Sequence, residues 1–101
     1  MSPLVAQECY AYLLRCADGS LYSGWTTDLR RRLAAHNDGR GAKYTRSRRP
    51  VKLVSCWRFV TRSEAMKFEV YLKGLSRIQK ERLSEQHANL QEAAFIPQVD
   101  F

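Results

Sequence analysis

The sequence lacks a hydrophobic run long enough to cross a membrane, because none approaches the roughly 20 apolar residues of a spanning helix. Cysteines are few: Cys9, Cys16 and Cys56 show no CxxC spacing, which argues against a zinc site and predicts reduced, buried thiols. Residues 1–8 have neither a basic start nor an apolar signal core. These absences predict a cytoplasmic protein without a membrane partner.

Acidic residues are also scarce. The 101 residues carry 10 Asp and Glu against 17 Lys and Arg, a formal net charge of +7. A chain this short forms one domain with an open site rather than a deep cavity. The Lys and Arg residues are concentrated between Arg30 and Lys52, a stretch in which Asp38 is the only acidic residue. This local positive surface predicts nucleic acid as the partner, in preference to a membrane.

The chain opens with a predicted β-hairpin. Apolar runs from Cys9 to Cys16 and from Leu21 to Trp25 flank the turn sequence Ala17-Asp18-Gly19-Ser20. The type of turn decides the register, because side chains alternate between the two faces of a strand.

Two turns are compatible with this hairpin. A two-residue Asp18-Gly19 turn places Tyr12 and Tyr22 on opposite faces of the sheet. A type I turn with left-handed Gly19 and a bulge pairs Tyr22 with Leu14, on the face of Tyr12. We predict the bulged turn.

The remaining elements are predicted from caps and apolar spacing. The first helix ends before Gly39 and can be capped by Thr26, Thr27 and Asp28. Residues 40–50 form a basic surface loop. A strand then runs from Val51 to about Val60. Ser63 caps a second helix that ends at Gly74, and the capping box of Ser76 and Gln79 opens a third helix through about Gln86.

The element order β-β-α-β-α-α predicts an α+β fold, a three-stranded, mainly antiparallel sheet with flanking helices. We divide the chain into an N-terminal extension (1–8), one domain (9–86) and an irregular C-terminal tail (87–101).

Tyr10-Ala11-Tyr12 and, ten residues on, Tyr22-Ser23-Gly24 resemble the two halves of the GIY-YIG nuclease signature. Arg32, His36 and Glu69 stand where that family has its arginine, its frequent histidine and its metal-binding glutamate. The resemblance implies the GIY-YIG fold and a metal-dependent nuclease with catalytic residues Tyr12, Tyr22, Arg32, His36 and Glu69.

Residues 39–46 further resemble the small stand-alone bacterial YhbQ-like branch of the superfamily. The implied substrate is DNA in preference to RNA, cut by an endonuclease, nickase or exonuclease in DNA repair or processing. The implied cofactor is a single Mg²⁺ or Mn²⁺ at Glu69, because one carboxylate leaves most positions of the ion to water and phosphate.

The candidate residues suit phosphodiester hydrolysis. Arg32 is the electrophile, because a guanidinium binds phosphate oxygens with a fixed fork of donors. The resemblance nominates Tyr22 as general base with Tyr12 orienting water or phosphate, although a tyrosine with a pKa of about 10 needs nearby cations for this role. His36, four residues after Arg32, is an alternative base or a phosphate donor near neutral pH.

The basic stretch supplies the predicted nucleic-acid contacts. Tyr44 is the candidate for stacking on a base, because it lies among cations. The full set is Arg31, Arg40, Lys43, Tyr44, Arg46, Arg48 and Arg49.

The sequence departs from the family pattern at three places. Tyr10 and Ala11 replace the Gly-Ile that names the first motif, although Tyr12, which carries the hydroxyl, is kept. Trp25 stands where some relatives have a catalytic lysine, for which Lys43 is the candidate replacement, and the family's late asparagine has no equivalent, since Asn89 lies in the predicted tail. The alternative function is therefore a non-catalytic DNA- or RNA-binding module, and a third is a protein-interaction domain. In those cases Glu69 only pairs with Lys73, four residues on.

Overall fold

A computed structural model gives the fold for residues 8–94 and the side chains of residues 8–86. The elements are β1 Cys9–Arg15, β2 Leu21–Thr26, α1 Leu29–Asn37, α2 Lys43–Arg46, β3 Lys52–Phe59, α3 Arg62–Lys73 and α4 Arg77–Ala94. This order confirms the predicted α+β fold. Within residues 8–94, no helix combines the length and apolarity that a membrane span requires.

The short helix α2 is a correction, because residues 40–50 were expected to form a loop throughout. Its residue Thr45 is fully buried and hydrogen-bonded to His36 of α1. That contact joins segments nine residues apart, so α2 is stabilised by packing that local sequence patterns do not reveal.

β1 is the central strand of the sheet, whose order is β2-β1-β3 with both pairings antiparallel. Tyr12 and Leu14 face a core that includes Leu29 and Leu33 of α1. Ala11 and Leu13 face a second core with Leu72 of α3. The sheet therefore lies between α1 on one side and α3 on the other, and each fully buried leucine stabilises it by about 1.5–3 kcal/mol.

The hairpin between β1 and β2 has the predicted bulged turn. Gly19 is left-handed, with φ 87°, and its N–H donates to the carbonyl of Cys16 at 2.9 Å. The N–H of Cys16 in turn donates to the carbonyl of Ser20 at 2.8 Å. The resulting register pairs Leu14 with Tyr22, as predicted.

Caps define where the helices start. The Asp28 carboxylate caps α1 by accepting from the N–H of Arg31 at 3.1 Å, within the predicted set. Thr61 caps α3 by accepting from the N–H of Glu64 at 3.2 Å, so the expected cap at Ser63 is wrong. A start at Arg62 makes Ser63 an exposed residue of the first turn, where its hydroxyl is not needed as a cap.

The capping box of α4 is confirmed: the Gln79 side chain accepts from the N–H of Ser76 at 2.8 Å, and the Ser76 hydroxyl accepts from the N–H of Gln79 at 3.2 Å. The helix continues to Ala94, so the irregular tail predicted from His87 is wrong over residues 87–94. That segment is rich in Ala, Leu, Gln and Glu, which favour helix even without a clear apolar period. Residues 95–101 lie outside the described residues.

Ion pairs attach α4 to the hairpin. Arg15 binds Glu81 with two hydrogen bonds of 2.6 and 2.7 Å, and Arg77 donates to the carbonyl of Gly19 at 2.8 Å. The bulged turn is thus held from outside as well as by its own hydrogen bonds. The three cysteines Cys9, Cys16 and Cys56 are buried and form no disulfide with one another, as expected.

Candidate active site

The two motif tyrosines lie on one face of the sheet, above the core formed with α1. Tyr22 pairs with Leu14, two residues from Tyr12 on the same face of β1. Tyr12 is buried, whereas Tyr22 is half-buried. The predicted shared face is confirmed, and it brings the two rings to one histidine.

That histidine is His36, which is buried with 1% exposure. Its Nε2 is hydrogen-bonded to the Tyr12 hydroxyl at 3.0 Å, and its Nδ1 to the Thr45 hydroxyl at 2.8 Å. The Tyr22 ring packs edge-on against the imidazole, with 5.3 Å between the centroids. Residues from β1, β2, α1 and α2 therefore meet at one point.

Burial, reinforced by the positive charge of Arg32, lowers the pKa of His36 from 6.5 to about 4. This lowered pKa favours the neutral imidazole near pH 7, and the role of His36 as an alternative base or phosphate donor stays a prediction. An imidazole that has no contact with water and lies near a cation remains neutral at pH 7. Burial also raises the pKa of the Tyr12 hydroxyl above its usual range.

The lowered pKa of His36 predicts loss of stability in mild acid. Between pH 6.5 and about 4 the unfolded chain binds a proton that folded His36 does not, so the free energy of unfolding falls as pH decreases. Urea unfolding of the wild type should show a decrease of about 2 kcal/mol from pH 7 to pH 5. The His36→Gln variant should lose much less.

Other groups affect this window little. The pKa values of Asp18 and Glu81 are lowered from 3.8 and 4.5, chiefly by hydrogen bonds from Ser20 and Arg15, so their stabilisation is lost chiefly below pH 4.5, outside the measured range of pH 7 to pH 5. An equal decrease in the wild type and in His36→Gln would contradict a neutral, buried imidazole.

Two glycines allow the backbone to pack closely against side chains of the site. A Cβ at Gly24 would overlap the Tyr12 hydroxyl and ring, and a Cβ at Gly41 would overlap the His36 imidazole. The backbone at both positions therefore lies directly against a side chain of the site. Neither Gly41 nor Thr45 was predicted as a site residue from the sequence; residues 39–46, noted for their family resemblance, were the available signal.

Arg32 approaches this cluster from α1. Its side chain is half-buried, and its charge lowers the pKa of both Tyr12 and His36. Among the side chains of residues 8–86, no carboxylate forms an ion pair with it. A half-buried guanidinium without a counter-ion is suited to binding an anion.

Glu69 and Lys73 approach from α3. The Glu69 side chain is only 18% exposed, and its charge raises the pKa of Tyr12, as expected for a nearby carboxylate. Lys73 Nζ lies 3.4 Å from Glu69 Oε2 and 5.9 Å from the centroid of the Tyr22 ring. The pairing of Glu69 with Lys73 is thus present, and Lys73 is a cation of the site that sequence reasoning treated only as a partner of Glu69.

Two positions bear on the missing family lysine: Trp25, which stands in its place, and Lys43, its candidate replacement. Trp25 pairs with Ala11, on the face of the sheet opposite to Tyr12. Lys43 is exposed on α2. A lysine that the structure does bring to the Tyr22 ring is Lys73.

The predicted nucleic-acid residues divide into two groups. Arg31, Lys43 and Arg46 are exposed, and no other described side chain pairs with them. The other arginines are engaged within the fold: Arg40 with Asp38 at 2.9 Å, Arg49 with the carbonyls of Arg46 and Asn37, and Arg48 with Asp18 and the carbonyl of Tyr44.

Tyr44 connects this basic surface to the site. Its ring stacks on Tyr22, with 5.8 Å between centroids and 27° between the planes. The Arg48 guanidinium lies 4.0 Å from the Tyr44 centroid. With 39% exposure, Tyr44 is accessible to a ligand, but two neighbours already pack on its ring.

The available metal ligands are few. Among the described residues, no three His, Cys, Asp or Glu side chains are grouped so that they could hold an ion. Glu69 offers a carboxylate near Tyr12. This donor set does not suit zinc, but it fits Mg²⁺ or Mn²⁺, which retain waters and bind substrate phosphate.

The chain is similar to known proteins over most of its length. A family model described as GIY-YIG catalytic domain matches residues 8–90. A UPF0213 protein of Streptococcus pneumoniae serotype 4 is 57% identical over 79 residues, covering 77% of this chain and 80% of that protein. The UPF0213 protein YazA of Bacillus subtilis is 46% identical over 87 residues, covering 86% and 88% of the two chains.

Solved structures support the same relationship. The solution NMR structure of a UPF0213 protein from Bacillus halodurans is 45% identical, with a TM-score of 0.51, and the match covers 87% of this chain and 89% of that chain. The solution NMR structure of a protein from E. faecalis is also 45% identical, with a TM-score of 0.53, and covers 80% and 88%.

Proposed function

Because this chain belongs to the GIY-YIG family and its relatives are UPF0213 proteins, we propose that it is a metal-dependent nuclease that hydrolyses phosphodiester bonds in DNA. The observation that carries the proposal is the convergence of Tyr12, Tyr22 and His36 beside Arg32, a half-buried cation with no carboxylate partner among the side chains of residues 8–86. Such a site combines an anion-binding group with hydroxyls that can orient or deprotonate a water molecule.

Arg32 binds the scissile phosphate in this proposal. Its guanidinium presents parallel donors to the phosphate oxygens and keeps its charge throughout the reaction. Because the Arg32 side chain is half-buried, its attraction for the growing negative charge is stronger than at an exposed position.

The tyrosines position the nucleophilic water. Tyr12 is the orienting group, since its hydroxyl is held by His36 and burial keeps it protonated. Tyr22 is the general base, and Lys73, 5.9 Å from its ring, supplies the positive charge that the sequence had placed at Lys43. His36 acts through Tyr12 as a neutral hydrogen-bond partner.

Glu69 is the residue that would hold Mg²⁺ or Mn²⁺. When bound, the ion supplies neutralisation of the phosphate charge and stabilises the leaving oxygen. Lys73 forms a salt bridge with the Glu69 carboxylate, which keeps that carboxylate near Tyr12.

Arg31, Lys43 and Arg46 are the residues best placed to bind the phosphate backbone outside the site, because they are exposed and have no carboxylate partner among the described side chains. Contacts to phosphates carry no base information, so they predict salt-sensitive binding without strong sequence preference. We infer a cytoplasmic enzyme of DNA repair or processing that acts as an endonuclease or nickase.

A substrate panel tests this function. The purified protein is incubated with supercoiled plasmid, single-stranded DNA, branched DNA and RNA, with Mg²⁺, with Mn²⁺ and with EDTA. We expect metal-dependent cleavage of at least one DNA that EDTA abolishes. Cleavage of RNA alone would contradict the assignment of DNA as substrate.

The same panel separates the nuclease from a binding module. Salt-sensitive binding to DNA or RNA without cleavage under any condition would replace the proposal by a non-catalytic function. Cleavage that persists at equal rate in both Arg32→Ala and Glu69→Ala would indicate a contaminating nuclease.

A further inference from the structure

A buried chain of hydrogen bonds leads away from the site through α2. The Tyr12 hydroxyl is bonded to His36 Nε2 at 3.0 Å, and His36 Nδ1 to Thr45 Oγ1 at 2.8 Å. The Thr45 hydroxyl then donates to the carbonyl of Ala42 at 3.2 Å. Tyr12, His36 and Thr45 are each at most 3% exposed, so water has little access to this chain.

The direction of the chain depends on which nitrogen of His36 carries the proton. A neutral imidazole has one N–H, and its position is set by the partners of the two nitrogens. If Thr45 donates to Ala42, its oxygen accepts from Nδ1–H of His36, and Nε2 accepts from the Tyr12 hydroxyl. All three donors then have an acceptor.

The opposite direction leaves one donor without an acceptor. If Thr45 donated to Nδ1, then Nε2–H would donate to the Tyr12 oxygen, and the proton of Tyr12 would need another acceptor. No such acceptor lies within hydrogen-bonding distance among the described residues, so this proton would be unpaired in the protein without substrate. An unpaired buried hydroxyl is unfavourable, so the first direction is preferred.

We propose that Thr45 is a positioning residue, which fixes the Nδ1–H form of His36 and thereby makes Tyr12 present its oxygen to the reacting water as an acceptor. In the opposite form, Tyr12 would have a free proton and would donate to the phosphate instead. This inference rests on the proposed nuclease function for its catalytic consequence, whereas the state of His36 does not depend on that function.

The geometry of α2 supports this role. Thr45 is fully buried although it is polar, and it lies on a helix of four residues whose other members are exposed. Gly41, directly before Ala42, packs so closely on the imidazole that a side chain there would overlap it. The segment 41–45 therefore holds His36 from the side opposite to Tyr12.

The experiment measures the protonated nitrogen directly. Long-range ¹H–¹⁵N correlation spectra of the imidazole at pH 7, assigned with His36→Gln, distinguish Nδ1–H from Nε2–H. We expect Nδ1–H in the wild type and in Thr45→Ser, which retains the hydroxyl. Thr45→Val keeps the shape without the acceptor, so Nε2–H should become populated. A wild-type spectrum with Nε2–H would overturn the proposal whether or not the variants fold.

Kinetics test the catalytic consequence. Thr45→Val should reduce kcat by roughly 10-fold to 100-fold, the usual effect of losing a group that orients a functional histidine, while Thr45→Ser should restore most of it. Wild-type rates in Thr45→Val, combined with a changed spectrum, would refute the positioning role. A protein that shows Nδ1–H but cuts no nucleic acid would refute the nuclease function alone.

Discussion

Replacement of Gly24 by alanine is expected to reduce nuclease activity strongly and to destabilise the fold. Gly24 lies opposite Tyr12 in the hairpin, and a Cβ there would overlap the hydroxyl and the ring of Tyr12. The Tyr12 ring cannot move aside easily, because it is buried and its hydroxyl is hydrogen-bonded to His36. Overpacking of this kind costs about 1–3 kcal/mol.

The activity should fall more steeply than the stability. Displacement of a catalytic group by about 1 Å can cost on the order of 10²-fold in rate, and Gly24→Ala moves Tyr12 away from both His36 and the substrate. The measurement pairs kcat with urea unfolding. The matched control is Gly74→Ala, since a Cβ there meets its nearest atom, the carbonyl oxygen of Tyr71, at an ordinary 3.5 Å. Equal effects of the two substitutions would contradict the close approach at Tyr12.

Arg32→Ala should reduce the cleavage rate by about 10²-fold to 10³-fold, the usual effect of removing a group that stabilises transition-state charge. The fold should remain intact, because no carboxylate among the described side chains pairs with Arg32. Thermal unfolding should therefore change little. Arg62→Ala, which removes an exposed charge outside the site, serves as the control and should retain the wild-type rate.

The same variant gives a spectroscopic result that does not depend on activity. The charge of Arg32 helps to lower the pKa of His36 to about 4, so the pKa should rise in Arg32→Ala. NMR titration of the imidazole measures this shift. An unchanged His36 pKa would contradict a position of Arg32 near that imidazole. A cleavage rate within twofold of the wild type would contradict the catalytic role of Arg32.

Local sequence patterns predicted the strand register and the capping box. The register follows from Gly19, since only a left-handed residue closes the bulged turn that pairs Tyr22 with Leu14. The cap of α3 could not be chosen locally, because Thr61 and Ser63 are both good caps. Tertiary packing decides between them: the helix starts at Arg62 and buries Ala65 completely.

The site was predictable to the extent that its residues belong to motifs. The tyrosines share the predicted face, and Arg32, His36 and Glu69 lie around them. Gly41, Thr45 and Lys73 were missed as members of the site, because their roles arise from contacts with other segments. Thr45 meets His36 nine residues away, and His36 meets Tyr12 across 24 residues.

The most direct test of a hydrolytic centre at these residues is the initial rate of plasmid cleavage in Mg²⁺ by the wild type, Glu69→Ala and Glu64→Ala. Both glutamates lie on α3, but Glu64 is exposed in its first turn, whereas Glu69 lies near Tyr12. We predict cleavage by the wild type and Glu64→Ala, and at least about 10²-fold slower cleavage by Glu69→Ala. Equal cleavage by all three proteins, or by none, would contradict the proposed nuclease site.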